Sequence, residues 1–250
     1  MCQEAEFEEI NEIKADMDGI YDQRDPRGYF RELNKLDYGI PSAAKPIFQQ
    51  LIGHLESQGL APVHLLDVGS SYGVNAALLK YNLSMSELYA HWGQKVLRDV
   101  SSNEVIENDR SFFDQLDVTE DIRVTGLDVA ENAVSYGAEV GLLDDGIAIN
   151  LETHALPGDT ASELASVDLV MSTGCVGYVT EKTFEQLLPA ASQAGPPWFA
   201  NFVLRMFPFD PIADSLGEQG YVTEKLAGRT FVQRKFVGMD EQTKVLGQLA

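Results

Sequence analysis

Apolar positions along the chain follow two rhythms, short continuous runs and stripes at every third or fourth residue, and the two alternate. The first run, Val63–Val68, is broken only by His64 near its start and Asp67 near its end, which predicts a central strand covered on both faces. Residues 122–128, 146–151, 168–172 and 198–204 predict four further strands. Residues 75–80, 132–140 and 181–191 have helix-favouring composition and fall between them. Upstream, Phe7, Ile10, Ile13 and Met17 make one apolar stripe on an acidic helix over residues 4–17. A short helix follows around residues 29–36, then a fuller one over 43–58 closed by Gly59. Leu88, Trp92, Val96 and Val100 recur at helical spacing within residues 83–119, predicting one or two inserted helices. Residues 220–226 and 229–237 read as two more strands joined by Ala227-Gly228 as a hairpin. Such alternation predicts an α/β fold, a doubly wound, mostly parallel sheet ending in an antiparallel hairpin. Residues 1–60 would form a helical cover and residues 61–250 the main domain, with its insertion at about 83–119.

Charge narrows the partners. The 250 residues carry 18 Lys plus Arg against 39 Asp plus Glu, a formal charge of −21, which disfavours a sequence-independent grip on nucleic acid phosphates. Cys2 and Cys175 are too few and too far apart for a disulfide framework, so a reducing, cytoplasmic setting is expected. The first residues are acidic and lack the basic and apolar regions of a signal peptide. No stretch reaches the length needed to span a bilayer. The expected partner is a small molecule, not nucleic acid or membrane; no oligomeric state is implied.

The candidate chemistry gathers where strands end. Gly69 and Gly73 bracket a short turn after the first strand, and the turn empties onto a helix N-terminus whose free N–H groups face whatever occupies it. Doubly wound sheets bind ligands at the carboxyl ends of their strands. Asp67, Asp128, Glu152 and residues 172–178 mark four such ends. Asp128 suits the vicinal hydroxyls of a ribose, although Asp is also a good cap for the helix that follows. A dinucleotide seat wants Gly-x-Gly-x-x-Gly, whereas this turn reads Asp67-Val-Gly-Ser-Ser-Tyr-Gly73. An acidic group beside a pyrophosphate is unfavourable; beside the α-amino group of a methionine moiety it is favourable.

That turn resembles the first motif of the class I S-adenosylmethionine-dependent methyltransferases. Val124-Thr-Gly-Leu-Asp-Val-Ala-Glu-Asn-Ala-Val-Ser-Tyr136 is similar to the family's second motif. Glu152-Thr-His-Ala-Leu-Pro157 is similar to the loop after its third strand, and Val167-Asp-Leu-Val-Met-Ser-Thr-Gly174 to its fourth motif. The resemblance runs from about Val63 to Phe236. It implies a Rossmann-like, seven-stranded fold with a reversed terminal hairpin and S-adenosyl-L-methionine as cofactor. Asp67, Gly69 and Gly73, with Ser70 and Ser71 in the same turn, would surround the methionine part. Asp128 would hold the ribose, Val129 and Glu152 the adenine region, and Ser172 with Thr173 the sulfonium side. The gap between Gly73 and Asp128 is longer than the family's usual unit, and Glu152 stands where the family often has Asp.

Methyl transfer from a sulfonium is an in-line displacement governed mainly by alignment. Tyr178 is a candidate for holding a polar group of the substrate, or else a core tyrosine; His154 is a candidate base. Tyr29, Tyr38 and Arg205 are candidate substrate contacts. Tyr21, Tyr29 and Tyr38 with Arg27 and Arg31 would form a cover over the pocket, or else an aromatic helix packed on the sheet. His54, His64 and His91 lack partners at ligand spacing, so no metal site is expected. Cys175 reads as a small packed residue. The reading is a methyltransferase acting on O or N of a small molecule. The alternatives are an NAD(P)-dependent oxidoreductase and a non-catalytic S-adenosylmethionine-binding module.

Overall fold

A computed structural model describes residues 18–249, so the acidic helix expected at 4–17 lies outside the described residues. Helices α1 (Asp18–Tyr21), α2 (Arg27–Lys35) and α3 (Ile40–Ser57) lead into β1 (Val63–Val68) and α4 (Val74–Lys80). The insertion contributes α5 (Met85–Trp92), a 3-10 turn (Lys95–Leu97) and α6 (Ser102–Phe113). Ser84 and Ser101 each start an insertion helix with a capping box, accepting from the backbone N–H of Glu87 and Glu104 while those carboxylates reach back. Then follow β2 (Ile122–Asp128), α7 (Glu131–Glu139), β3 (Asp145–Ala148), α8 (Gly158–Glu163), β4 (Leu169–Thr173), α9 (Glu181–Ala191), β5 (Trp198–Phe202), α10 (Asp210–Glu218) and α11 (Met239–Gln248).

The strands form one parallel sheet in the order β3-β2-β1-β4-β5. Alternation along β1 divides the core. Val63 and Leu65 pack into a cluster with α2 to α7, whereas Leu66 and Val68 join the opposite cluster with α9 and α10. Helices therefore cover both faces, which is why the strands are apolar on both sides and why the fold is α/β. The strand order reverses between β1 and β4, which places the ligand crevice of such sheets at the carboxyl ends of those two strands.

Two expectations are corrected. The sheet has five strands rather than seven, and the antiparallel hairpin expected over residues 220–226 and 229–237 is absent: these residues form no strand among the described residues. Strand-like sequence needs an edge to pair with, and here the backbone is engaged elsewhere. Gly39 N donates to Gln233 O at 2.9 Å and Lys235 N to Leu36 O at 2.7 Å. Arg234 is drawn into a mostly buried pair with Glu241 of α11 at 2.7 Å. The tail thus runs from β5, where Phe231 meets Phe202 edge-on, to the turn between α2 and α3.

The expected cover is built into the body. Tyr29, Phe30 and Leu33 of α2 are buried in the core, Phe30 stacking on Trp92 of the insertion at 4.0 Å. Asp109 of α6 is fully buried and accepts from Trp92 Nε1 at 2.9 Å and Tyr136 Oη at 2.7 Å, with His91 Nε2 2.6 Å away. The insertion is joined by these bonds to α7.

Candidate functional site

The turn after β1 is shaped by three left-handed residues, Gly69 (φ 75°), Ser71 (φ 48°) and Gly73 (φ 76°). At Gly69 a side chain is excluded twice over, since its Cβ would also stand 2.7 Å from Cys175 Cβ. The turns after β1 and β4 consequently touch, and the Cys175 thiol donates to Val68 O at 3.2 Å. Gly73 N closes the turn on Ser70 O at 3.0 Å, and α4 begins directly behind it.

Asp67 and Asp128 come together here. Asp67 lies at the end of β1 and is fully buried. Burial pushes its carboxyl up to about 7; the Asn75 amide pulls the value down and Asp128 adds to the rise. Asp128 ends β2, one strand over, and accepts from Ser71 N (2.8 Å) and Ala130 N (3.1 Å). Burial raises its carboxyl above the ordinary range, against the pull of those backbone N–H groups. Neither oxygen is saturated by one such bond, so the carboxylate is held in place with acceptor capacity left. Ser70 Oγ and Ser71 Oγ are buried and have no hydrogen-bond partner among the described residues.

Across the switch point, Asn75 Nδ2 reaches both Asp67 oxygens (3.0 and 3.2 Å) and Thr173 Oγ1 (3.2 Å). Ser172 Oγ donates to Asn201 Oδ1 at 2.7 Å, the two being register partners on β4 and β5. Sequence reading named neither Asn75 nor Asn201 as a site residue. The available signal for Asn75 was a lone amide in the apolar run Val74 to Leu79.

The remaining candidates are spread more widely. Val129 is 65% exposed beside Asp128. Glu152, expected at the adenine, has its carboxylate engaged by Thr180 N (2.8 Å), Thr180 Oγ1 (2.7 Å) and Thr183 Oγ1, and so fixes the start of α9. His154 is exposed on the loop after β3, with Nδ1 2.8 Å from Thr153 Oγ1. Tyr178 is 56% exposed in the turn after β4, where its N–H donates to Cys175 O at 2.9 Å. Arg205 is exposed beyond β5. Tyr29 and Tyr38 sit edge to face in a buried aromatic cluster with Tyr21 and Tyr72, and burial raises both phenols far above their ordinary value. Burial likewise pushes the Cys175 thiol up to about 12, which keeps it protonated.

The segment before α2 reaches the same turn. Tyr72 Oη accepts from Gln23 N at 2.8 Å, and Asp22 accepts from Asn132 N, at the start of α7, at 2.7 Å.

Among known families none matches the chain, and neither does any curated protein. One solved structure that aligns is a protein of Methanococcus maripaludis whose own assignment, as an S-adenosyl-L-methionine-dependent methyltransferase, is provisional. It is 14% identical over 79% of this chain and 70% of that one, with a TM-score of 0.38. At that score the likeness decides nothing, and the reading below rests on the geometry of the site.

Proposed function

We propose that the protein is an S-adenosylmethionine-dependent methyltransferase acting on a small molecule. The observation that carries this reading is the pairing of a buried carboxyl at the end of β1 with a second carboxylate at the end of β2, around a turn whose two serine hydroxyls are buried without partners. A buried hydroxyl without a hydrogen bond is unfavourable unless a ligand supplies one. Asp67, being buried, gains most from a cationic partner such as an α-ammonium group. A pyrophosphate would add negative charge next to both acids, which weighs against the nicotinamide alternative.

On this reading Asp67 and Ser71 hold the amino-acid end of the cofactor, while the Ser70 hydroxyl lies against Gly126 of β2. Asp128, fixed by Ser71 N and Ala130 N, takes the ribose hydroxyls, and Val129 offers an apolar surface to the adenine. When bound, the cofactor supplies a methyl group activated by its sulfonium. The chain's part is alignment: Thr173 lies on the β4 side of the switch point, and Tyr178 offers a phenol to a polar group of the substrate. The small-molecule assignment draws support from the charge of −21, which no polyanion would favour.

The test is mass spectrometry of the purified protein, followed by incubation with methyl-labelled S-adenosylmethionine and a panel of small alcohols, phenols and amines. Co-purified adenosylhomocysteine and label transfer are the expected results. A bound nicotinamide nucleotide with no adenosyl species would replace the reading; tight S-adenosylmethionine binding with no transfer to any acceptor would favour a binding module.

A further inference from the structure

Asn75 is 4% exposed in a helix that is otherwise apolar at Val74, Ala76, Ala77, Leu78 and Leu79. A primary amide buried among such neighbours is costly unless its hydrogens are bonded. Both are. One points at the Asp67 carboxyl and the other at Thr173 Oγ1, 98 residues away in sequence. Only the amino end of the amide can face an ionised carboxylate, so the two contacts fix which way the group is turned. Thr173, accepting from the amide, keeps its own hydroxyl hydrogen to donate.

We propose that Asn75 is a positioning residue: from the first turn of α4 its amide ties the end of β1 to the end of β4 and holds the carboxylate that receives the cofactor's ammonium group. The proposal rests on the cofactor reading above, and its consequence is specific to charge. Asp67 is faced by Asn75 from α4, by Asp128 from β2, by Cys175 from the turn after β4 and by Tyr38 from the turn between α2 and α3. Burial keeps the Cys175 thiol and the Tyr38 phenol neutral. Burial and Asp128 both favour the protonated form of Asp67, and Asn75 is the donor that opposes them. Without it, Asp67 stays protonated to higher pH and offers an ammonium group no opposite charge.

The experiment is calorimetric titration with adenosylhomocysteine across neutral pH. In the wild type, affinity should rise with pH through about 7, where Asp67 ionises. In Asn75→Leu the midpoint of that rise should move up by about one pH unit, so binding is roughly fivefold weaker at about pH 7, about tenfold weaker below both midpoints, and approaches the wild type in alkali. Weakening by one constant factor at every pH would mean a merely structural residue and would overturn the proposal. If Asn75→Leu does not fold, Asn75→Ser keeps a shorter donor and should show a smaller shift in the same direction; an unmoved midpoint there overturns it equally. Asp67→Asn should abolish the rise altogether. No binding of adenosylhomocysteine at any pH removes the cofactor reading itself. A measurable affinity that is flat across the range removes the charge role of Asp67 and with it that of Asn75, and a rise whose midpoint Asn75→Leu leaves in place removes only the role of Asn75.

Discussion

Asp67 on β1 is in register with Gly126 on β2, which puts Asp128 two residues farther along the neighbouring strand at the same edge of the sheet. Two acids so placed repel when both are ionised, and each raises the need for a cation or a hydroxyl donor between them. Removing one should therefore alter the other. Asp128→Ala is expected to weaken adenosylhomocysteine binding by about 1–3 kcal/mol, the usual cost of losing hydrogen bonds to a charged group. It should also lower the pH at which Asp67 ionises, because the like charge is gone. Calorimetry at several pH values reads both effects, and unchanged affinity would contradict the ribose assignment.

The same burial sets a stability profile. The folded-state value for Asp67, about 7, lies above its ordinary 3.8. Its neutral form is therefore favoured by folding, and the contribution present at low pH is lost as pH rises through about 7. A ligand bringing an ammonium group reverses that loss. The expected outcome by thermal melting is a larger stabilisation from saturating adenosylhomocysteine at pH 8 than at pH 6; the opposite order would contradict the ion pair.

Gly69→Ala faces a left-handed backbone and a Cβ contact of 2.7 Å with Cys175. The backbone alone costs about 1–2 kcal/mol, and the contact must push the turns after β1 and β4 apart. Lower melting temperature and lost cofactor binding are expected. Cys175→Gly in the same chain should recover the steric part and leave the backbone part, which a double-mutant cycle measures.

Tyr29 is held by burial in the core, whereas Tyr72 also bonds the segment before α2. Tyr29 is 2% exposed in a cluster of edge-to-face rings, so Tyr29→Ala should cost about 3–5 kcal/mol by denaturant unfolding, as for other large aromatics. Deleting residues before Leu36 should unfold the protein for the same reason. Tyr72→Phe removes only the bond from Gln23 N and those from Tyr72 Oη to the backbone of residues 20 and 23. It should leave the fold intact, with a loss of about 1 kcal/mol, and increase hydrogen exchange in the segment before α2.

How much of this was legible depends on how local the cause is. The unit β1, turn and α4 could be read because an apolar run interrupted only by His64 and Asp67, two glycines and a helix start are neighbours in sequence. Helix α9 was legible over its full span, Glu181–Ala191, for the same reason. The tail was not. Its alternating residues fit a strand, yet Gln233 and Lys235 bond to Gly39 and Leu36, some two hundred residues earlier, and no local pattern announces such a partner. Helices α10 and α11 fall on Asp210–Glu218 and Met239–Gln248, on either side of the segments read as a hairpin, and were not read from the sequence. In the site, the two acids were visible as strand ends, whereas the bridge from Asn75 to Thr173 exists only because β1 and β4 are adjacent.

The most direct measurement of the central claim is a pair of titrations of the wild-type protein, one with adenosylhomocysteine and one with NADH, each repeated on the double variant Asp67→Asn/Asp128→Asn. Saturable one-to-one binding of adenosylhomocysteine that the double variant loses, with no binding of NADH, is the predicted result. Binding of NADH, or adenosylhomocysteine binding that survives removal of both acids, would contradict it.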